Sequence, residues 1–392
     1  MFFVPTSLKL LLFISLAMPQ VITEASFAIA IVILFFAILY SKLSFDKSTL
    51  SLVLVGGMTL IGLYGSILGI YFLNDLSGVY ANFKIYYLYP LFGLFLIPIM
   101  KKNLSFDDIL YVCFAALTFI ALTFFLQFLQ LYFFDTIFLV NFDWVLPKVS
   151  LYEGRYVITA LSVPNLIILF PIFLFACFDK RARDDRLLVY VLALLIVSLL
   201  ILISGRRMIW LLSFIVCFSL FMHIFLRNVI LRLFIGTLIA FFLYIFLWQD
   251  LSSLFMLKNE ISQDSVRVEQ SSMLLRSFTE YPLGLGFGSL FYDSRGYDSW
   301  MFEMAWLKLL VDTGIVFLIW SFLLVVVLTQ KYLRINREHS HFLLNGFYWS
   351  LICWFLLGFS NPSFSNFDGL LVLFMLLSVL TKSSSYDSPK KR

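Results

Sequence analysis

The chain has 392 residues, 62% of them hydrophobic and only 13% charged, with a mean hydropathy of +0.98. A soluble protein is about half apolar and about a quarter charged, so no water-soluble fold could cover this much apolar surface, and a polytopic membrane protein is expected. The formal charge of +5 is no sign of nucleic-acid binding, because the basic residues lie in short segments between apolar runs, where they set topology.

The apolar runs are about 18–25 residues long and lack the alternation of a membrane barrel, so they read as helices. In chain order they fall at 7–20, 25–41, 50–73, 83–100, 108–134, 157–178, 187–204, 207–226, 229–248, 302–330, 342–360 and 367–381. The expectation is an all-α protein of about twelve transmembrane helices, one membrane domain over 1–392. Its large extracytoplasmic loop, 249–301, lies between the ninth and tenth runs. Ser7 to Met18 has the length of a signal peptide, but no small-residue cleavage site follows and further runs do, so it reads as a span. No internal repeat is visible, which argues against transporter folds built from repeats. Cys113, Cys177, Cys217 and Cys353 lie inside apolar runs at spacings that suit neither zinc nor a disulfide framework, and they read as small buried hydrophobes.

With the N-terminus placed in the cytoplasm, the inner segments hold Lys9, Lys42, Lys47, Lys101, Lys102, Lys180, Arg181, Arg183, Arg186, Arg227, Arg232, Lys331, Arg334, Arg337, Lys382, Lys390, Lys391 and Arg392. That is about 18 of the 28 basic residues, the bias that positive-inside topology requires. Both termini are then cytoplasmic. The outer face keeps Lys84, Lys148, Arg155, Arg206, Arg207, Lys258, Arg267, Arg276 and Arg295. Arginines gathered beside span ends on that face suit the binding of an anion.

Ser204-Gly205-Arg206-Arg207 makes a tight turn between two runs. A guanidinium there, at a helix start, could hold a phosphate bidentately, or the pair could simply snorkel to the interface. Arg155 precedes a run that contains Pro164 and Asn165, which read as a kinked helix with an interfacial arginine or as part of a polar site. Within the large loop a short helix is expected from Asp264 to Tyr281-Pro282, carrying Arg267 and Arg276, with Met273, Leu274 and Phe278 as an apolar face for the membrane. Gly284, Gly286 and Gly288 then form a glycine run. No strand precedes it, so it is a poor nucleotide loop and reads instead as a flexible approach of backbone to substrate.

Glu303 opens the next run, followed by Lys308 and Asp312 at helical i,i+4 spacing. Lys308 and Asp312 can neutralise each other as a structural pair, whereas Glu303 is either a general base or a counter-ion to the arginines. The segment Asn361 to Asp368 reads as a polar turn. His223, His339 and His341 fall on the inner side, and no Asp, Glu and His set on the outer face has metal-ligand spacing, so no metal and no cofactor are expected there.

In order and sidedness these elements resemble the O-antigen polymerase and ligase superfamily over residues 150–370. Arg155 with Pro164-Asn165 resembles that family's entry to a middle span. Ser204 to Arg207 resembles its outward Ser-Arg turn. Arg276 with Gly284, Gly286 and Gly288 resembles its late-loop Arg…Pro-x-Gly-x-Gly pattern, and Leu307 to Gly314 its apolar run ending in Glu-x-Gly. Ligases of the superfamily carry His-Asn where this chain has Glu303, and that departure favours the polymerase branch.

The resemblance implies a GT-C-like membrane glycosyltransferase in a bacterial inner membrane. It would join undecaprenyl-pyrophosphate-linked repeats into O-antigen or capsular polysaccharide by inverting, metal-independent transfer. Arg206 and Arg207 would stabilise the leaving pyrophosphate, Arg155, Arg276, Arg267 and Asn165 would complete the substrate site, and Glu303 would take the proton of the attacking hydroxyl. Membrane lipids and a chain-length regulator are the implied partners besides the lipid-linked glycans, with no nucleic acid. The alternatives are an O-antigen ligase and a flippase of lipid-linked oligosaccharides.

Overall fold

A computed structural model describes residues 3–18, 23–40, 45–134, 148–152, 155–159, 163–203, 207–225, 263–290, 305–337, 342–358 and 366–382. The helices are α1 (Phe3–Ala17), α2 (Thr23–Tyr40), α3 (Thr49–Tyr71), α4 (Leu76–Asn103), α5 (Phe106–Phe134), α6 (Val163–Ala176), α7 (Lys180–Ile203), α8 (Arg207–Phe225), α9 (Gln263–Glu280), α10 (Ala305–Thr313), α11 (Ile315–Arg337), α12 (Phe342–Leu357) and α13 (Phe367–Lys382). Each expected run except 229–248, which lies outside the described residues, coincides with one of these helices or with a consecutive pair. Among the described residues, Thr49–Tyr71, Leu76–Asn103, Phe106–Leu126 and Ile315–Ile335 are long and apolar enough to cross a membrane.

The surface explains why such helices need lipid. On α7 the buried face carries Tyr190, Ala193, Val197 and Leu200, and the opposite face exposes Leu188, Leu192, Leu195, Leu199 and Leu202 at alternating spacings of four and three. A helix in water would turn polar residues outward on that second face. Leu60, Leu63, Ile67 and Ile70 of α3 and Leu318, Ile319, Phe322 and Val325 of α11 are exposed in the same way. An apolar surface this extensive belongs in hydrocarbon, and the chain is an α-helical membrane protein.

The centre of the bundle is α13. Its sequence is apolar all round, and Leu370, Leu371, Val372, Leu373, Phe374, Met375, Leu376 and Leu377 are each 0% exposed. It packs on α1, α2, α3, α4 and α12, and α12 lies along α6. Lipid supplies no hydrophobic drive between helices, so close approach and hydrogen bonds must hold them together. Glycines provide the approach: Gly57 sits under the Trp320 ring, Gly62 on the Tyr86 backbone, Gly93 under Phe374 and Gly358 under Trp306. Indoles provide the bonds. Trp306 Nε1 donates to the Phe355 carbonyl at 2.7 Å, Trp320 Nε1 to Val53 at 2.8 Å and Trp354 Nε1 to Gly369 at 3.0 Å.

The two ends of the bundle differ. One end is tied by cations: Lys101 to Asp46 at 2.7 Å, Lys9 to Asp108 at 2.5 Å, Arg186 to Asp107 at 3.0 Å, and Lys382 Nζ to the Leu104 carbonyl at 3.1 Å. Asp46 is buried there, which by itself would raise its pKa. Hydrogen bonds from Lys101, Ser51 and Ser48 outweigh burial and hold the carboxyl below its ordinary value.

Two expectations are corrected. The run at 157–178 is not helical from its start. Residues β1 (Lys148–Tyr152) and β2 (Arg155–Thr159) form an antiparallel hairpin in which Arg155 pairs with Tyr152 and Val157 with Ser150. Tyr152 and Tyr156 with the β-branched Val149, Val157, Ile158 and Thr159 favour strand there. Pro164 is the second residue of α6, where its missing N–H leaves nothing unsatisfied, so it opens the helix instead of kinking it. The run at 302–330 is likewise broken, at Gly314 between α10 and α11.

Candidate functional site

The break at Gly314 is the centre of the end opposite the cationic one. Gly314 has φ +60° and ends α10 in the left-handed conformation that glycine adopts without strain, its N–H donating to the Leu310 carbonyl at 2.6 Å. A helix interrupted inside a membrane exposes carbonyls and N–H groups that must find protein partners. They find them in a strap, Tyr281 to Leu290, that follows α9. Leu285 N–H donates to Val311 O at 3.0 Å and Gly286 N–H to Asp312 O at 2.9 Å, and Ile315 N–H donates back to Pro282 O at 2.9 Å.

The strap lies in a groove on α3. Gly286 has φ +78°, and a Cβ there would run into the backbone of Leu68 and Gly69. Gly65 and Gly69 of α3 are the other half of this seat, because a Cβ at Gly65 would meet the Phe287 ring at 2.8 Å. Phe287 is fully buried, stacks on Tyr86 at 5.6 Å between ring centres, and donates its N–H to Gly65 O at 2.8 Å. Asn74, just past the end of α3, reaches the carbonyls of Leu285 at 2.8 Å, Gly286 at 3.3 Å and Phe287 at 3.0 Å. The Tyr64 hydroxyl donates to Leu283 O at 2.8 Å. Beside the strap, Asp75 caps the start of α4, and the Ser77 hydroxyl and Gly78 N–H hold its carboxyl below the ordinary value.

Beneath the strap sits a polar triad. Lys308 and Asp312 form an i,i+4 ion pair 2.5 Å long, with residue exposures of 7% and 2%. Ser289 of the strap joins them, donating to Asp312 Oδ1 at 2.7 Å and accepting from Lys308 Nζ at 2.9 Å. A serine beside a lysine suggests a nucleophile and its base, but this geometry does not supply one. Lys308 Nζ is already bonded to Asp312 and to the serine oxygen, and the serine proton already points at Asp312. The pairing of Lys308 with Asp312 expected from their spacing is therefore present, and Ser289 is an addition to it.

The glycine run is not a flexible approach to substrate. The N–H groups of Gly284, Leu285, Gly286 and Phe287 all donate to protein carbonyls, and the glycines serve close contact with α3, α4 and α10. The apolar face expected on α9 is likewise taken by protein: Leu274 and Val311 are both fully buried in a cluster with Met273, Phe278, Leu285 and Leu307. On the other side of α9, Arg276 is exposed, with a side-chain accessibility of 83%, and its Nε donates to Glu280 at 3.1 Å. It is the arginine of the expected set whose side chain the structure describes, and it is exposed while paired with Glu280.

Asn165 is used differently from the expected substrate contact. It is 4% exposed, and its amide donates to Ser15 O at 3.1 Å and Leu16 O at 2.9 Å, capping the last carbonyls of α1. Asn165 therefore reads as a helix clamp. Arg267 lies in α9, Arg155 begins β2 and Arg207 begins α8. Arg206 and Glu303, with Ser204, Gly205 and Asn361 to Ser365, lie outside the described residues. At the end of that last turn, Asn366 Oδ1 caps α13 through Gly369 N–H at 2.8 Å, and Asp368 is buried and accepts from Ser15 Oγ at 3.2 Å.

A relay of contacts puts these elements at one level. Asn165 meets the end of α1, and Ser15 of α1 meets Asp368. Phe367 packs on Tyr89 with ring centres 5.0 Å apart, and Tyr86, one turn earlier in α4, stacks on Phe287 of the strap. The hairpin touches α5 and α7, and Trp210 Nε1 of α8 bonds Ile201 O of α7. Sequence reasoning missed Ser289, Asn74, Tyr64 and the hairpin. The spacing Gly65-x-x-x-Gly69 is a known small-residue packing pattern for membrane helices and was the available signal for the seat on α3. No protein-family model and no curated protein matches this chain.

Proposed function

We propose that the chain is a polysaccharide polymerase of a bacterial inner membrane. It joins undecaprenyl-pyrophosphate-linked repeat units into O-antigen or capsular polysaccharide on the outer face. The observation that supports this best is the gathering of β2, the start of α8, α9 and the strap at the end of the bundle opposite the Lys101, Lys9 and Lys382 contacts. Those elements carry Arg155, Arg207, Arg267 and Arg276.

In this reading the cationic end is cytoplasmic, both termini with it, and about twelve spans cross the membrane. The segment 249–301 is the periplasmic loop. The leaving group is a lipid pyrophosphate, whose growing charge arginines can stabilise without a nucleotide sugar. Arg206 and Arg207 hold that pyrophosphate, Arg155, Arg267 and Arg276 support the chain, and Glu303 accepts the proton of the attacking hydroxyl. A single displacement inverts the anomeric carbon. Asn165 drops out of the substrate set because its amide caps α1.

The test is a polysaccharide gel from a strain lacking the chain, complemented with wild type, Arg207→Ala or Glu303→Gln. Single repeats on the acceptor with no ladder, restored by wild type and by neither variant, is the expected result. Long lipid-linked chains with nothing transferred would mean a ligase, and repeats trapped on the cytoplasmic side would mean a flippase. Full laddering with Glu303→Gln at normal protein level would remove the base.

A further inference from the structure

The strap has a register problem. Gly284, Gly286 and Gly288 repeat every second residue, with φ of +102°, +78° and +77°. A slip of two residues would put two of the three glycines where another sat and bring Pro282 or Leu290 to the third positive-φ seat. The backbone bonds to Val311, Asp312 and Gly65 would then re-form with new partners. Period-two backbone pairing therefore leaves the register to be set by the residue at that third seat and by the side chains of the strap. Three side chains distinguish one register from the next: Leu285 against Leu274 and Val311, the Phe287 ring in its slot, and the Ser289 hydroxyl on Lys308 and Asp312. A slip would bring Leu285 or Ser289 to the slot. The hydroxyl has one acceptor and one donor waiting for it, both buried and already paired with each other.

A buried ion pair is not needed for stability where apolar residues of similar size would pack as well, and its best-attested use is to fix registry. We propose that Ser289, Lys308 and Asp312 are a register lock for the strap and act as positioning residues for the substrate site. The step from lock to site rests on the polymerase reading above. Pro282 is bound to the start of α11 only two residues beyond the end of α9. A slip of two residues would thus move the end of α9, and Arg276 with it, by about 7 Å at extended-chain spacing. The lock touches no substrate itself: Lys308 and Asp312 lie under the strap, and Ser289 faces them from it.

The test compares wild type, Ser289→Ala, Ser289→Thr and the paired apolar replacement Lys308→Met with Asp312→Leu, each with and without Leu285→Cys. Labelling by a membrane-impermeant maleimide reads the register, because Leu285 is half-buried against α9 and α10 whereas Leu283 is exposed. The activity probe is the strain's own lipid-linked repeat units, extracted from cells lacking the chain. Ser289→Ala and the paired replacement should raise labelling at position 285 at least tenfold. They should also raise KM for the lipid-linked repeat about tenfold with little change in kcat, and Ser289→Thr should restore both.

Unchanged labelling in both variants would overturn the lock. Raised labelling with unchanged KM would overturn its role in positioning. If wild type joins no repeats, the reaction and the positioning role fall together, while the labelling result still decides whether the lock exists. Ser289→Ala changes a single oxygen, so the comparison survives even if the paired replacement does not fold.

Discussion

Two glycine-to-alanine changes should differ sharply in effect, and the contrast tests whether the strap is seated on α3. Gly286 has φ +78°, where an L residue costs about 1–2 kcal/mol. Its new Cβ would also meet the backbone of Leu68 and Gly69, which cannot rotate away as a side chain would. Lifting the strap to relieve that contact loosens two hydrogen bonds, Gly286 N–H to Asp312 O and Phe287 N–H to Gly65 O. At about 0.5–1.5 kcal/mol each, the bonds and the backbone strain together come to about 2–5 kcal/mol. Gly56 of α3 is helical, and a Cβ there would meet nothing within 4 Å. Gly56→Ala should therefore be neutral or stabilise by up to about 1 kcal/mol. The assay is the fraction of detergent-solubilised protein that stays monodisperse after heating across a temperature series. Gly286→Ala should lose several degrees and Gly56→Ala none. Equal midpoints would refute the seating, and with it the account of how the broken α10–α11 helix satisfies its backbone.

Removing one member of the buried pair should be severe: Lys308→Met leaves Asp312 unpaired under the strap and should cost about 3–5 kcal/mol in the same heating assay, most of it recovered when Asp312→Leu is added. At the cationic end, the depressed pKa of Asp46 means its contribution is present above the ordinary value of 3.8 and is lost as pH falls from there through the folded value. Lys101→Met removes the largest of the bonds that together outweigh burial, so the folded value rises and the acid loss of stability should shrink, measured as heating midpoints against pH. Asn165→Leu should destabilise by about 1–2 kcal/mol, because two carbonyls of α1 lose their donor. In the gel it should leave polymer length unchanged; a loss of ladder at normal protein level would return Asn165 to the substrate site.

Hydropathy revealed the helices because it integrates over many residues and the membrane demands length. Where the chain departed from that reading, a tertiary contact decided. Nothing local in the run 302–330 says that Gly314 is a break, since an isolated glycine is tolerated in a membrane helix. The interruption exists because residues 282–287 come back to bind Val311, Asp312 and Ile315. The hairpin at 148–159 hid beside an apolar run because its β-branched residues are also hydrophobic. The pairing of Lys308 with Asp312 was legible because i,i+4 spacing is a local property. Their third partner, Ser289, was not, because it lies 19 residues from Lys308 along the chain. Asn165 was misread for the same reason: its partners are about 150 residues away, at Ser15 and Leu16.

The burial of α13 on every side also bears on how the molecule is assembled. A helix that touches α1, α2, α3, α4 and α12 and exposes almost nothing cannot be added to a finished bundle from outside. The elements made before it must wait in the bilayer with an unfilled centre, and contacts such as Ser15 with Asp368 close only after more than 350 residues have been laid down. Contacts of that sequence separation form slowly and leave half-built surfaces open to wrong partners. A protease or a chaperone would therefore distinguish nascent from mature chains most sharply by whether α13 has arrived.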